Sequence, residues 1–204
     1  MGFFQNTCKP EGFGGKLMVK MMNSGHTHLA NWGFSKISVN EDSKVLDVGC
    51  GGGANIAVWL DICKNGHVTG LDFSDVSVGE SRKLNDTAIK QKRCEVLQGN
   101  VADMPFDDES FDCVSAFETI YFWPGLTKCF TEVNRVLKSG GTFMICNEID
   151  GTNTADEKWP KMIDGMSIYN DKQIRDALEE AGFSDIESHS DKKNHWLCIL
   201  AKKK

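Results

Sequence analysis

No stretch of this chain approaches the roughly 20 consecutive apolar residues that a bilayer span requires, which argues against a transmembrane helix. Basic residues are also in deficit, 23 Lys and Arg against 29 Asp and Glu, leaving a formal net charge of −6. Such a field repels phosphate backbones, so nucleic acid is not an expected partner, and the terminal "AKKK" reads as a solvated end. Eight cysteines are present, yet no two form a C-x-x-C pair, and the spacing suits neither a zinc site nor a disulfide framework. Most interrupt apolar runs, as in "FDCVSAF" and "FMICNE", the pattern of buried thiols in a reducing, cytoplasmic setting. The start, "MGFFQNTCKP", lacks a basic segment followed by an apolar run, so no secretory signal is read there. Asn6 stands where a myristoylation signal needs Ser or Thr. Repeats and low-complexity tracts are missing too.

What is present is a regular alternation. At 204 residues, with 40% hydrophobic and 25% charged content, the chain fits one globular domain with a substantial core. From residue 44, short apolar runs alternate with amphipathic stretches: "KVLDVG", "HVTGLDF", "CEVLQGN", "FDCVSAFET" and "TFMICNEI" read as strands. Between them, helices are predicted at "ANIAVWLDICKN" ending by Gly66, from about Asp75 to Lys92, and over "LTKCFTEVNRVLKSGG" with Leu126, Phe130, Val133 and Leu137 on one face. Parallel pairing through right-handed crossovers follows, hence an α/β Rossmann-like doubly wound sheet. The chain closes on a helix at "NDKQIRDALEEAG" and two strands around "DKKN", which makes the final pair antiparallel. The divisions within the domain are an N-terminal helical lid at 1–43, a binding core at 44–150, an insertion at 151–170, and a C-terminal helix with strands at 171–204.

The run "VLDVGCGGGAN" concentrates the chemistry. Open α/β sheets bind ligands beyond the carboxyl ends of their strands, and Gly49, Gly51 and Ala54 satisfy G-x-G-x-x-G/A. Asp72, at the end of the second strand, sits where an acid takes ribose hydroxyls, so the ligand is a nucleoside. Asp47 bears on which one. A dinucleotide would bring a pyrophosphate towards that carboxylate, whereas S-adenosylmethionine brings an ammonium and a sulfonium. Two other readings stand beside it. An NAD-dependent oxidoreductase explains the glycines and Asp72 but not Asp47, and the Tyr-x-x-x-Lys of a short-chain reductase is missing at both Tyr121 and Tyr169. A protein that binds S-adenosylmethionine without catalysis is the second.

Four ordered motifs resemble those of class I S-adenosylmethionine-dependent methyltransferases, most nearly the small-molecule enzymes of the ubiquinone/menaquinone-biosynthesis type. They are "VLDVGCGGG", "VTGLDFS", "GNVADMPFDDESFDCV" and "EVNRVLKSGGTFMICNE", and with the closing hairpin the resemblance covers roughly residues 40–204. It implies a seven-stranded sheet, mostly parallel with an antiparallel last strand. It also implies S-adenosylmethionine as methyl donor, S-adenosylhomocysteine as product, and a small-molecule acceptor methylated by in-line displacement. Asp47, Gly49 and Gly51 would hold the methionine end and Asp72 the ribose. Phe73, Asn100 and Val101 would border the adenine, and Phe117 the methionine side. Asn100 departs from the Asp common in relatives, so that contact is expected without its charge. His26 and His28 are candidate bases, with His28 and Tyr121 the preferred catalytic pair. His26, Trp32, Glu118, Trp123 and Tyr169 are candidate acceptor contacts, and Phe122, Glu148, Met162 and Met166 are further candidate wall residues. No metal ligand set is expected.

Overall fold

The structure, a computed structural model, describes residues 10–204, apart from the side chains of residues 13, 20 and 22–24. Cys8, Asn6 and the first nine residues of the expected lid lie outside the described residues. Seven strands form one sheet: β1 Lys44–Val48, β2 His67–Asp72, β3 Cys94–Gln98, β4 Phe111–Phe117, β5 Leu137–Asn147, β6 Phe183–Asp191 and β7 Trp196–Lys203. Their order is β3-β2-β1-β4-β5-β7-β6. The first five pair in parallel, while β7 runs antiparallel to both β5 and β6. The doubly wound sheet and its antiparallel close are as expected, with β7 inserted between β5 and β6. The strand order reverses between β1 and β4, which opens the crevice where such sheets bind ligands.

Helices α1 Gly12–Gly25, α2 Thr27–Phe34, α3 Ala54–Ile62, α4 Asp75–Leu84, α5 Asp86–Lys90, α6 Leu126–Val136, α7 Trp159–Met162 and α8 Asp171–Glu180 complete the chain. One face of the sheet packs on α2, α3 and α4 through Leu29, Ile56, Trp59 and Val78. The other packs on α6 and α8 through Phe130, Val133, Ile174 and Leu178. Burial on both faces is why the central strands read as continuous apolar runs rather than alternating ones. α8 starts at a capping box, Asn170 and Gln173 each satisfying the other's backbone N–H.

Three helices end elsewhere than their sequence patterns predict. α3 stops at Ile62, short of Gly66, because the Arg93 guanidinium takes the carbonyls of Leu60 and Cys63 at 2.9 and 2.8 Å. The single helix expected from Asp75 to Lys92 is two, α4 and α5. Buried Asn85 leaves the helix to donate to the carbonyls of Gly53 (3.1 Å) and Ser81 (3.0 Å), tying α4 to the glycine loop, and Leu84 beside it is 55% exposed. The third concerns "LKSGG", where Gly140-Gly141 is not a helix stop. α6 ends at Val136, and Leu137 opens β5 opposite Phe111 before the register shifts to Cys113 opposite Thr142. Gly140, at φ +75°, carries that bulge.

The N-terminal segment supplies α1 and α2, broken at Gly25-His26. α1 lies along α4, where the Ser74 hydroxyl donates to the Pro10 carbonyl at 2.7 Å. α2 presses on β5 so closely that a Cβ on Gly33 would meet Cys146, Met144 and Phe117. Both helices thereby stand over the carboxyl ends of the strands. Residues 151–170 form a 3₁₀ turn at Thr154–Lys158 and the single turn α7.

Candidate active site

A cleft of about 450 Å³ opens at the carboxyl ends of β1, β2 and β4, walled by the glycine loop, the segments after β2, β3 and β4, and α1 and α2. The loop after β1 is pinned to β2, with the amides of Gly49 and Cys50 both donating to the Leu71 carbonyl at 2.7 and 3.1 Å. Gly49 (φ +72°) has no room for a side chain, since a Cβ would collide with Thr119 Oγ1. Gly51 (φ +52°) faces open space, so backbone itself forms the cleft wall there.

Asp72 joins the loop to the next strand. Its Oδ2 accepts the Gly51 amide and its Oδ1 the Ser74 amide, both at 2.8 Å. Burial pushes this carboxyl above the ordinary value, and those two amides pull it back. The Ser77 hydroxyl is a third donor to this carboxylate, whose two oxygens together offer about four acceptor sites and so keep room for a ligand hydroxyl. Phe73 beside it lies on the wall 57% exposed, a flat apolar face that a planar ring can cover. Val101 is buried in the facing wall, where Asn100 Oδ1 accepts the Ala102 amide at 2.9 Å.

Asp47 is not on the wall. It lies one layer beneath the loop, 1% exposed, with Oδ1 accepting the Ser115 hydroxyl at 2.7 Å; Ser115 in turn accepts from the Trp59 indole at 2.9 Å. Oδ2 has no hydrogen-bond partner. Burial pushes Asp47 up to about 7, the Ser115 hydrogen bond opposing and the Asp72 charge adding to the rise. Without a ligand it therefore carries only part of the full negative charge that its motif position suggested.

The end of the cleft beyond β4 is built around Glu118, the first residue after that strand, held at φ +58°. Its Oε1 accepts the Tyr121 hydroxyl at 3.3 Å and the backbone N–H of Glu148. The Tyr121 phenol Oη accepts the Ile149 amide at 3.1 Å, so this tyrosine braces the ends of β4 and β5. His26, at the start of α2, stands 3.7 Å from Glu148 Oε1. Burial, then the Glu148 charge, raise Glu118 well above the usual carboxylate range. Phe117, Phe122 and Trp123 line the same end.

Residues 46–145 match the family described as "Methyltransferase domain". The chain belongs to the class I S-adenosylmethionine-dependent methyltransferases. It is 32% identical over 151 residues to the sterol 4-C-methyltransferase of Caenorhabditis elegans, covering 72% of this chain and 42% of that one. It is 28% identical over 192 residues to the erythromycin 3''-O-methyltransferase of Saccharopolyspora erythraea, covering 86% and 63%. The chain spans about half the length of the sterol methyltransferases it matches. Among solved structures, a methyltransferase in complex with a Haloferax volcanii methyltransferase activator superposes with a TM-score of 0.82 at 25% identity, covering 91% of this chain and 93% of that one. The geranyl diphosphate C-methyltransferase of Streptomyces coelicolor, solved with S-adenosylhomocysteine, shares the fold with a TM-score of 0.74 at 13% identity, covering 87% and 76%.

In this methyltransferase cleft the structure brings together Gly49, Gly51, Asp72, Phe73, Asn100, Val101, Phe117, His26, Glu118 and Trp123. Others fall elsewhere. His28 is exposed and off the wall, because the α2 turn that points His26 into the cleft points His28 out. Trp32 packs on Trp196 with ring centroids 5.8 Å apart, and Tyr169 packs against the α6–α8 core. Tyr121 is 3% exposed and reaches the cleft only through Glu118. Met162 is exposed and off the wall. Sequence reading missed Thr119, Pro10 and Val19, all on the wall. Thr119 follows Glu118 directly, but no motif marks it, and the other two reach the cleft only because α1 folds over α4.

Proposed function

We propose that this protein transfers a methyl group from S-adenosylmethionine to a small, partly apolar acceptor. The observation that carries this reading is the Asp72–Gly51 hydrogen bond beside exposed Phe73, in a cleft that continues into an aromatic acceptor end. Asp72 would hold the ribose hydroxyls, Phe73, Asn100 and Val101 the adenine, and Gly49, Gly51 and Phe117 the methionine end. Asp47 would act through the loop rather than by contact. Bound there, S-adenosylmethionine supplies an activated methyl group on sulfonium. The protein's own tasks are then alignment and exclusion of water. α1 and α2 serve the second as a lid, held by the Ser74–Pro10 hydrogen bond.

His26, Glu118, Phe122 and Trp123 would face the acceptor, with Tyr121 bracing Glu118. The names of the relatives, a sterol and a macrolide methyltransferase, support an acceptor with substantial apolar surface. The net charge of −6 speaks against nucleic acid. No helix among the described residues is long and apolar enough to cross a membrane. Seven free, buried cysteines among the described residues support a reducing, cytoplasmic setting. Calorimetric titration tests the core of the proposal: S-adenosylmethionine and S-adenosylhomocysteine bind saturably and NAD does not. Saturable NAD binding without response to the other two overturns it. Transfer of labelled methyl groups into a metabolite extract then identifies the acceptor.

A further inference from the structure

Among the described residues, the carboxyl group of Glu118 has no lysine or arginine beside it in the cleft, and His26 is the one basic side chain on the wall. Glu118 instead faces acids. Donor atoms of Glu118, Glu148 and His26 lie within 4.8 Å of one another, Tyr121 donates to Glu118, and the buried thiol of Cys146 lies behind it. Asp47 and Asp72 stand across the glycine loop. The next residue, Thr119, packs directly against Gly49, so Glu118 is attached to the segment that touches the loop. Its left-handed backbone is an uncommon conformation for a non-glycine residue, held here by the Glu118 amide donating to the Cys146 carbonyl at 3.0 Å.

We propose that Glu118 distinguishes the methyl donor from its spent product, releasing a proton to solvent by way of Glu148 and His26 when a sulfonium occupies the cleft and keeping that proton when the sulfur is neutral. This rests on the reading of the cleft as a donor site. Burial, then the Glu148 charge, shift the Glu118 carboxyl towards its protonated form, against the Glu148 amide and the Tyr121 hydroxyl, which favour the carboxylate. A ligand carrying positive charge supplies the missing counter-ion and favours the carboxylate. The O–H bond of Glu118 then breaks with its electron pair left on the carboxylate. Glu148 or His26 accepts the proton, and their side chains, 45% and 31% exposed, pass it to water. Because the occupied state binds fewer protons, donor affinity rises as pH rises through the range above ordinary carboxylate values, while product affinity does not. Once the sulfur has become a neutral thioether, Glu118 takes a proton back and the preference for the ligand falls, which favours product release.

The test is calorimetric titration at pH 7, with chelator present, in two buffers of different ionisation enthalpy. The expected result is roughly 0.5–1 proton released per S-adenosylmethionine bound and close to none per S-adenosylhomocysteine. Asp47 contributes part of any release, so the decisive quantity is the difference between wild type and Glu118→Gln, a variant that keeps the accepting oxygen and cannot ionise. That variant is expected to lose most of the release and to bind donor and product with affinities brought closer together. Infrared difference spectra of wild type and Glu118→Gln supply a second readout: the donor removes a protonated-carboxyl carbonyl band in the wild type that the variant's spectrum lacks, and the product leaves it. Equal proton release with both nucleosides, an unchanged release in Glu118→Gln, or a band that persists with the donor overturns the inference and leaves the donor-site reading standing. Failure of both nucleosides to bind sinks that reading, and the inference with it.

Discussion

The two ends of the cleft are built on different plans. At the cofactor end, Gly49, Gly51, Asp72 and Phe73 come from two consecutive strand ends, and the contacts are largely backbone: amides of Gly49, Cys50 and Gly51 fastened to Leu71 and Asp72. At the other end, Glu118, Tyr121, Glu148 and His26 come from three separate segments, and the contacts among them run through side chains. Backbone geometry is common to any chain that adopts the fold, so on the proposed reading the first end would recognise a ligand shared across the family. Side chains vary freely, so the second end would set what receives the methyl group.

The comparison breaks first at Asp72. Asp72→Ala is expected to weaken donor and product alike by about 1–3 kcal/mol, since both carry the ribose and the substitution also frees the Gly51 amide. Calorimetry checks this, and unchanged affinity would remove Asp72 from the site.

A second test probes the carboxylate hidden below the loop. Asp47 keeps its proton up to about pH 7 in the folded chain, against an ordinary value of 3.8. Its contribution to stability is therefore full below about pH 4 and lost as pH rises through 7, because the unfolded chain ionises first. Urea denaturation of Asp47→Asn beside wild type should show the variant gaining roughly 3–4 kcal/mol relative to wild type between pH 4 and pH 8. A constant gap would mean that Asp47 is ionised throughout. The same substitution is expected to weaken the sulfonium donor more than the neutral product.

The smallest effect belongs to His28. It is exposed and off the wall, so His28→Ala should change neither donor affinity nor stability by more than about 0.5 kcal/mol. A large loss would show that the lid closes differently around the acceptor.

Legibility followed the same division. The parallel core and the glycine loop could be read because each rests on local signals: apolar runs of strand length, a glycine-rich turn, an acid one strand later. Where local signals misled, a distant partner had intervened. Asn85 broke a helix to reach Gly53, Arg93 ended α3 early, and Phe111 drew Leu137 out of α6 into β5. Asp47 was found by its motif, but its place beneath the loop depends on Ser115 and Trp59, 68 and 56 residues from their partners.

By itself, then, the sequence determined the sheet, its switch point and the backbone cradle, because alternation of apolar runs and glycine placement act within a few residues of themselves. Only the tertiary structure decided which histidine faces the cleft, that Tyr121 donates to Glu118, and that, among the described residues, no lysine or arginine stands beside that carboxyl group. Those outcomes depend on the rotation of α2 and on β4 and β5 ending side by side, and burial turns that arrangement into chemistry by making an unpaired charge costly.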